Sequence, residues 1–150
     1  MAYSLGMKLN RHWIPVWGFA LLIFAVSSIP GLTVSVPVKE DFIFADTFHN
    51  PSKIGHLIEF GIFGWLCLRA LTWGNRFPLG KAACLAFLIA AAYGASDEWH
   101  QYFVPNRICG LDDWVADCIG SLLTILIFIL FYSKKLSSDG QIDNRPVNPV

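Results

Sequence analysis

Charge is scarce in this chain. Only 15% of its 150 residues are Asp, Glu, Lys or Arg, against about 25% in an average soluble domain, while 55% are hydrophobic. That balance argues against a soluble globular domain. The 11 basic and 11 acidic side chains cancel, so no basic surplus exists to hold a nucleic acid. Cysteine is equally thin: there are four, none in a Cys-x-x-Cys pair, which removes zinc-ribbon and thioredoxin chemistry. Cys67 and Cys84 fall in apolar stretches, and a Cys109 to Cys118 bridge would require the chain to bend where a helix is expected to start. No glycine-rich phosphate loop and no His-Glu-x-x-His pattern is present, so the sequence names no cofactor.

Apolar residues are what the chain has, with a mean hydropathy of +0.51. They gather in four blocks close to the roughly 20 residues that cross a bilayer: 13–29, 54–73, 82–96 with an extension toward Tyr102, and 114–132. The first block is preceded by Lys8, Arg11 and His12 and stopped by Pro30 and Gly31. It is longer than the roughly 7–15 residues of a signal-peptide core, so we read it as an uncleaved helix. The expected fold is all-α, an integral membrane four-helix bundle. Residues 1–12 form an N-terminal segment, 13–132 the transmembrane domain, and 133–150 a polar tail too poor in apolar residues to fold alone. Eight of the 11 Lys and Arg residues flank one side of these blocks, and only Lys39, Lys53 and Arg107 fall on the other. The positive-inside rule then puts both termini in the cytoplasm and the two remaining loops outside. Gly61 and Gly64, with Ala82, Ala86, Ala90, Ala91 and Ala95, recur at the three- and four-residue spacings that let helices approach closely in lipid.

Ionisable residues inside apolar helices are costly, about 2.5–3.5 kcal/mol for a central Asp, Lys or Arg, and here they cluster. Lys53, His56 and Glu59 descend one side of the second block. Glu98, His100 and Gln101 end the third, beside Asp97, which we expect to be solvated or capping at the water edge. Asp113 and Asp117 lie one turn apart at the start of the fourth, after a loop holding Arg107 and Asp112. Antiparallel packing brings all of these to one external level. His56, Glu59, Glu98, Asp113 and Asp117 are the candidate catalytic residues, as acid/base groups. Lys53, His100, Gln101 and Arg107 are the candidate substrate-binding residues. Glu98, Asp113 and Asp117 can also hold a divalent ion, and whether a metal is bound stays open. The bland alternatives are specific too: Lys53 can snorkel, Asp112 and Asp113 can cap a helix, and Arg107 can pair structurally with Asp113 or Asp117. Asp117 is too deep for a cap and needs a buried partner, with His56 or Arg107 in reach.

Three longer segments, Ser52-Lys53-Ile54-Gly55-His56-Leu57-Ile58-Glu59-Phe60-Gly61, Tyr93-Gly94-Ala95-Ser96-Asp97-Glu98-Trp99-His100-Gln101 and Val104-Pro105-Asn106-Arg107, together with Asp113, Ala116, Asp117 and Gly120, resemble the VanZ-like membrane protein family. Ser27-Ser28-Ile29-Pro30 is similar to that family's first motif. The chain departs from the pattern at Ser52, where Asp is usual before the Lys, and at Asn106, where Gly is frequent before the Arg. The resemblance implies a bacterial cytoplasmic-membrane protein of the cell envelope, linked by the family's name to resistance to the lipoglycopeptide teicoplanin. It implies the same polar signature: Lys53, His56, Glu59, Glu98, Gln101, Arg107, Asp113 and Asp117. A phosphotransbutyrylase label carried by some relatives finds no support in residues of this chain. The spacing of Arg107, Asp113 and Asp117 echoes a segment of membrane lipid phosphatases, but Asp stands at their nucleophile position and their companion motifs are missing.

Two function classes follow. One is an enzyme acting at the outer leaflet on a membrane lipid or lipid-linked envelope intermediate. The other is a non-catalytic binding or structural protein whose polar cluster is an interhelical network. A transporter is a weaker third reading, since four short spans without a repeat make a thin path. Oligomeric state is not legible.

Overall fold

The structure is a computed structural model that describes residues 2–31, 51–73, 77–107 and 109–143, with side chains described over 11–31, 52–73, 77–107 and 109–131. Every regular element among the described residues is a helix: α1 (Ala2–Ser27), α2 (Pro51–Thr72), α3 (Leu79–Gln101) and α4 (Leu111–Asp143). Among the described residues, three stretches are long and apolar enough to cross a membrane, Ser52–Thr72, Leu79–Gln101 and Leu111–Phe131. The apolar part of α1, Arg11–Ser27, is shorter. This is an all-helical membrane protein.

Both outer helices run past the apolar blocks that the sequence pattern marked. The helix α1 already begins at Ala2, and α4 continues to Asp143, beyond the Ser133 at which the polar tail was expected to start. Polar residues erase the apolar periodicity there without stopping the helix, because no proline intervenes between Ala2 and Pro15 or between Leu111 and Pro146. Residues 32–50 and 144–150 lie outside the described residues. The stop after α1 is the one expected from Pro30 and Gly31, with Gly31 at φ 70°, in the left-handed region that glycine enters without strain.

The packing is inverted relative to a soluble bundle. Leu21, Leu22, Ile58, Leu88, Leu126, Ile127 and Leu130 point outward, while Lys53, His56, Asp97, Glu98, Gln101, Asp113 and Asp117 are buried. That arrangement suits a lipid solvent. Inside, Phe60, Phe63, Cys67 and Leu68 of α2 pack with Val16, Ala20 and Ile23 of α1 and with Ala82, Ala86 and Ala90 of α3. All four cysteines are free.

Close contact between α2 and α4, the most extensive in the protein, is made by glycine. A Cβ on Gly61 would lie 2.9 Å from Thr124 Oγ1, one on Gly64 would lie 2.9 Å from Ser121 Cβ, and one on Gly120 would run into the Leu57 carbonyl. These three positions bring the two backbones together as small residues do in membrane bundles. They also set the height at which polar side chains of the two helices meet.

Candidate functional site

The C-termini of α1 and α3 and the N-termini of α2 and α4 share one end of the bundle, and the ionisable side chains converge there. Asp117 lies one turn before Gly120 on the same face of α4, so the contact that puts Gly120 on Leu57 also carries Asp117 across to His56. The two side chains meet at 2.9 Å, His56 Nδ1 to Asp117 Oδ1, with both buried. With Asp117 ionised, Nδ1 carries the proton and the carboxylate fixes the ring orientation. Gly94 of α3 leaves the slot for that carboxylate, since a Cβ there would lie 2.9 Å from Asp117 Oδ2. One turn along α3, Glu98 faces the same space and accepts a hydrogen bond from the Gly110 backbone N–H, at 3.0 Å. Ligand-type atoms of His56, Glu98 and Asp117 all lie within 4.8 Å of one another.

This centre is short of partners. Among the described residues, Glu98 Oε1, Gln101 Oε1 and Asp117 Oδ2 are buried side-chain oxygens with no hydrogen-bond partner. Buried polar atoms are nearly always satisfied, and an unsatisfied one in a native site points to a function, an ion or a water. Asp113 is buried one turn before Asp117, and Glu59 is half-buried one turn below His56. Lys53 is buried by an ion pair across the first turns of α2 and α4, with Nζ 2.9 Å from Asp112 Oδ2. It therefore does not simply snorkel to the headgroups.

A second network ties α1 to α3. Asp97 is 4% exposed, and its Oδ2 accepts hydrogen bonds from Ser27 Oγ at 2.9 Å and Gln101 Nε2 at 2.8 Å. The expectation of a solvated or capping Asp97 is thereby corrected. The helix α3 stays intact to Gln101, which carries Asp97 a full turn below its end and under the last turn of α1. Ser28 Oγ lies 3.0 Å from His100 Nε2, and Phe24 packs against the His100 ring with centroids 4.4 Å apart. Arg107 donates through Nη2 to the Val26 carbonyl at 2.9 Å and through Nε to the Ile29 carbonyl at 3.3 Å. A structural pairing of Arg107 with Asp113 or Asp117 is absent among the described residues. The cation instead caps the end of α1, adding a donor to the Val26 carbonyl, which also accepts from Ile29 N–H at 3.1 Å, and one to the Ile29 carbonyl beyond it. Asn106, just before it, has φ 61°, a left-handed conformation that Gly or Asn adopts most readily. The departure from the usual glycine therefore keeps the backbone requirement.

The nine expected site residues thus fall into two sets. His56, Glu98 and Asp117 form one centre, with Glu59, Asp113 and Lys53 around it. His100, Gln101 and Arg107 sit with the α1 to α3 tie. The sequence reading missed Ser27 and Ser28 as partners in that tie, though both stand in the motif at the end of α1. It also missed the role of Gly94, though Gly94 stands in the Tyr93 to Gln101 segment of the family resemblance, one helical turn before Glu98.

Beside the centre, a groove of about 580 Å³ runs between the end of α3 and the start of α4, lined by Ala95, Glu98, Trp99, Tyr102, Cys109, Gly110, Leu111 and Trp114. Trp99, Tyr102 and Leu111 are at least 70% exposed, so its walls are open at the protein surface. Trp114 Nε1 donates to the Ala91 carbonyl at 3.0 Å, which holds one wall in place. Cys109 lies outside the apolar spans, and its thiol is pushed up from its ordinary pKa by partial burial and by the neighbouring Glu98.

No curated protein and no solved structure matches the chain at a significant level. The family pattern described as VanZ/LLP1 matches residues 9–132. That stretch includes the end of α1, the polar first turns of α2 and α4 and the whole of α3, and the chain accordingly belongs to the VanZ/LLP1 family.

Proposed function

We propose that the polar end of this protein faces outward and acts chemically on the headgroup of a membrane lipid or lipid-linked intermediate of the bacterial cell envelope. All four helices cross the cytoplasmic membrane in this reading, α1 through its Arg11–Ser27 stretch, with both termini in the cytoplasm. One observation carries the proposal: Glu98 lines a largely apolar groove with exposed walls while also belonging to the buried His56 and Asp117 centre. An acyl chain suits Trp99, Tyr102 and Leu111, and a headgroup entering along it meets Glu98 first. The N-termini of α2 and α4 point to the same level, where helix dipoles favour an anionic group such as a phosphate. His56, Glu98 and Asp117 are the reactive centre, Glu59 and Asp113 set its charge, and Lys53 adds a cation beside it. His100, Gln101 and Arg107 hold the end of α1 against α3, which shapes the site from below.

The alternative is a non-catalytic network, and the tie made by Ser27, Asp97, Gln101 and Arg107 supports it for that part of the cluster. It does not extend to Glu98 Oε1 and Asp117 Oδ2: unlike the Gln101 amide oxygen, which is also without a partner among the described residues, these are carboxylate oxygens of a centre whose ligand-type atoms lie within 4.8 Å of one another. The test is a mass-spectrometric profile of envelope lipids from a strain lacking the protein, complemented with wild type or with Glu98→Gln. One lipid species should accumulate in the deletion, and only wild type should clear it. Clearance by Glu98→Gln, or an unchanged profile in the deletion, would overturn the reading.

A further inference from the structure

The described carboxylates at the polar end outnumber the cations that can offset them. Asp97, Glu98, Asp113 and Asp117 are buried, and Glu59 is half-buried. On the other side of the balance stand Lys53, joined to Asp112, and Arg107, which donates to two backbone carbonyls; both also attract the Asp113 carboxylate, and the six described carboxylates with Asp112 still outnumber Lys53, Arg107 and His56. His56 is the one ionisable donor in direct contact with Asp117 among the described residues. Several buried carboxylates with so little positive charge make a costly arrangement, unless a further cation completes it.

Geometry shows where that cation fits. His56, Glu98 and Asp117 come from three different helices, yet each offers a ligand atom within 4.8 Å of the other two. The two carboxylates each keep one oxygen without a hydrogen-bond partner among the described residues, Glu98 Oε1 and Asp117 Oδ2. Their other oxygens are held, by Gly110 N–H and by His56, so both side chains are fixed in orientation. Closing the triangle to the roughly 2.0–2.2 Å bonds of a metal to nitrogen and oxygen needs side-chain movements on the order of 1 Å.

We infer that His56, Glu98 and Asp117 form a site for one divalent transition-metal ion at the inner end of the groove. One imidazole and two carboxylates make a borderline-hard set, suited to Zn²⁺ or Mn²⁺ and unsuited to Cu(I). Three protein ligands leave coordination positions open on the groove side, as catalytic metal sites require. A headgroup phosphoryl oxygen entering past Trp99 and Leu111 can occupy such a position and be polarised there. The inference rests on the proposed function and specifies how its reactive centre works: the ion, held by all three side chains, is the group that meets the headgroup.

The experiment uses the full chain purified in detergent, stripped with a chelator, re-equilibrated with Zn²⁺ or Mn²⁺, freed of excess ion and analysed by elemental mass spectrometry. Wild type should retain about one ion per chain. Glu98→Gln and Asp117→Asn, each nearly isosteric, should lose at least about tenfold in affinity. Asp112→Asn, which removes an exposed carboxylate at the same end, should keep the ion. Circular dichroism establishes that the variants remain helical, and the wild-type titration stands even where one does not. Wild type retaining less than about a tenth of an ion, or both ligand variants binding as wild type does, overturns the site. The two readings fail separately. Lipid conversion by metal-stripped protein keeps the proposed function and overturns the metal, whereas stoichiometric binding with no lipid conversion keeps the metal site and overturns the function.

Discussion

Arg107 is held by backbone carbonyls at the end of α1. Its position in a loop between acidic helices suggests an ion pair, but its donors go to the carbonyls of Val26 and Ile29, where α1 ends. Arg107→Gln should therefore act as a lost helix cap, costing about 1–3 kcal/mol and lowering the unfolding temperature in detergent, while metal content stays at the wild-type level. An unchanged unfolding temperature would contradict that role. Asp97→Ala leaves Ser27 and Gln101 without their shared acceptor, and a similar loss in the same melt is expected. Cys109 reports on Glu98 from outside the spans. Its raised pKa, caused first by partial burial and then by Glu98, means less thiolate at neutral pH. Maleimide should label it more slowly than a free cysteine peptide at pH 7, and the rate should climb about tenfold per pH unit below that pKa. Glu98→Gln should speed the labelling, and an unaltered rate would show that Glu98 is not beside the thiol.

At the level of helices, glycine decides both packing and site. A Cβ on Gly120 meets backbone, the Leu57 carbonyl, which has nowhere to go. Gly120→Ala should force α2 and α4 apart and destabilise by about 1–3 kcal/mol or more, read as lower yield and earlier melting. A Cβ on Gly94 meets chiefly the tip of Asp117, with the Phe60 ring at 3.3 Å. Gly94→Ala should leave the protein folded but displace the carboxylate from His56, so that metal retention falls more steeply than stability. Equal falls in both would contradict the distinction. Much of this level was legible in the sequence. The apolar blocks located the helices, Pro30 with Gly31 located the end of α1, and the small-residue spacing located the contact faces of α2 at Gly61 and Gly64 and of α3 at Ala82, Ala86 and Ala90, whereas Ala95 is exposed. The extensions of α1 to Ala2 and of α4 to Asp143 were not, because a polar stretch with no breaker carries no periodicity to read. The gathering of the candidate residues at one end of the bundle was legible because ionisable residues stand out in apolar helices. Their partners were legible only in part: His56 was one of the partners in reach of Asp117, but Asp97 looks like a water-edge residue until Ser27 of α1 is seen beside it, because pairing depends on which helix ends lie side by side.

For the whole molecule, the claims are that the polar end faces outward and that it does chemistry rather than only holding helices together. The first is tested by a membrane-impermeant maleimide on intact cells. Cys109 is the cysteine outside the apolar spans, since Cys67, Cys84 and Cys118 all lie within them, and it should be labelled from outside. Protection of Cys109 until the cells are opened would reverse the orientation. Chemistry at the polar end leaves its own mark in Glu98→Gln. A variant of a working site loses function while its fold survives, whereas a variant of a structural lock loses both together. The most direct measurement is lipid analysis by mass spectrometry of purified protein reconstituted with a total envelope lipid extract and Zn²⁺ or Mn²⁺, wild type beside Glu98→Gln. A lipid or lipid-linked species altered at its headgroup by wild type and untouched by a stably folded Glu98→Gln is the predicted result. Identical lipid compositions from the two proteins would contradict it.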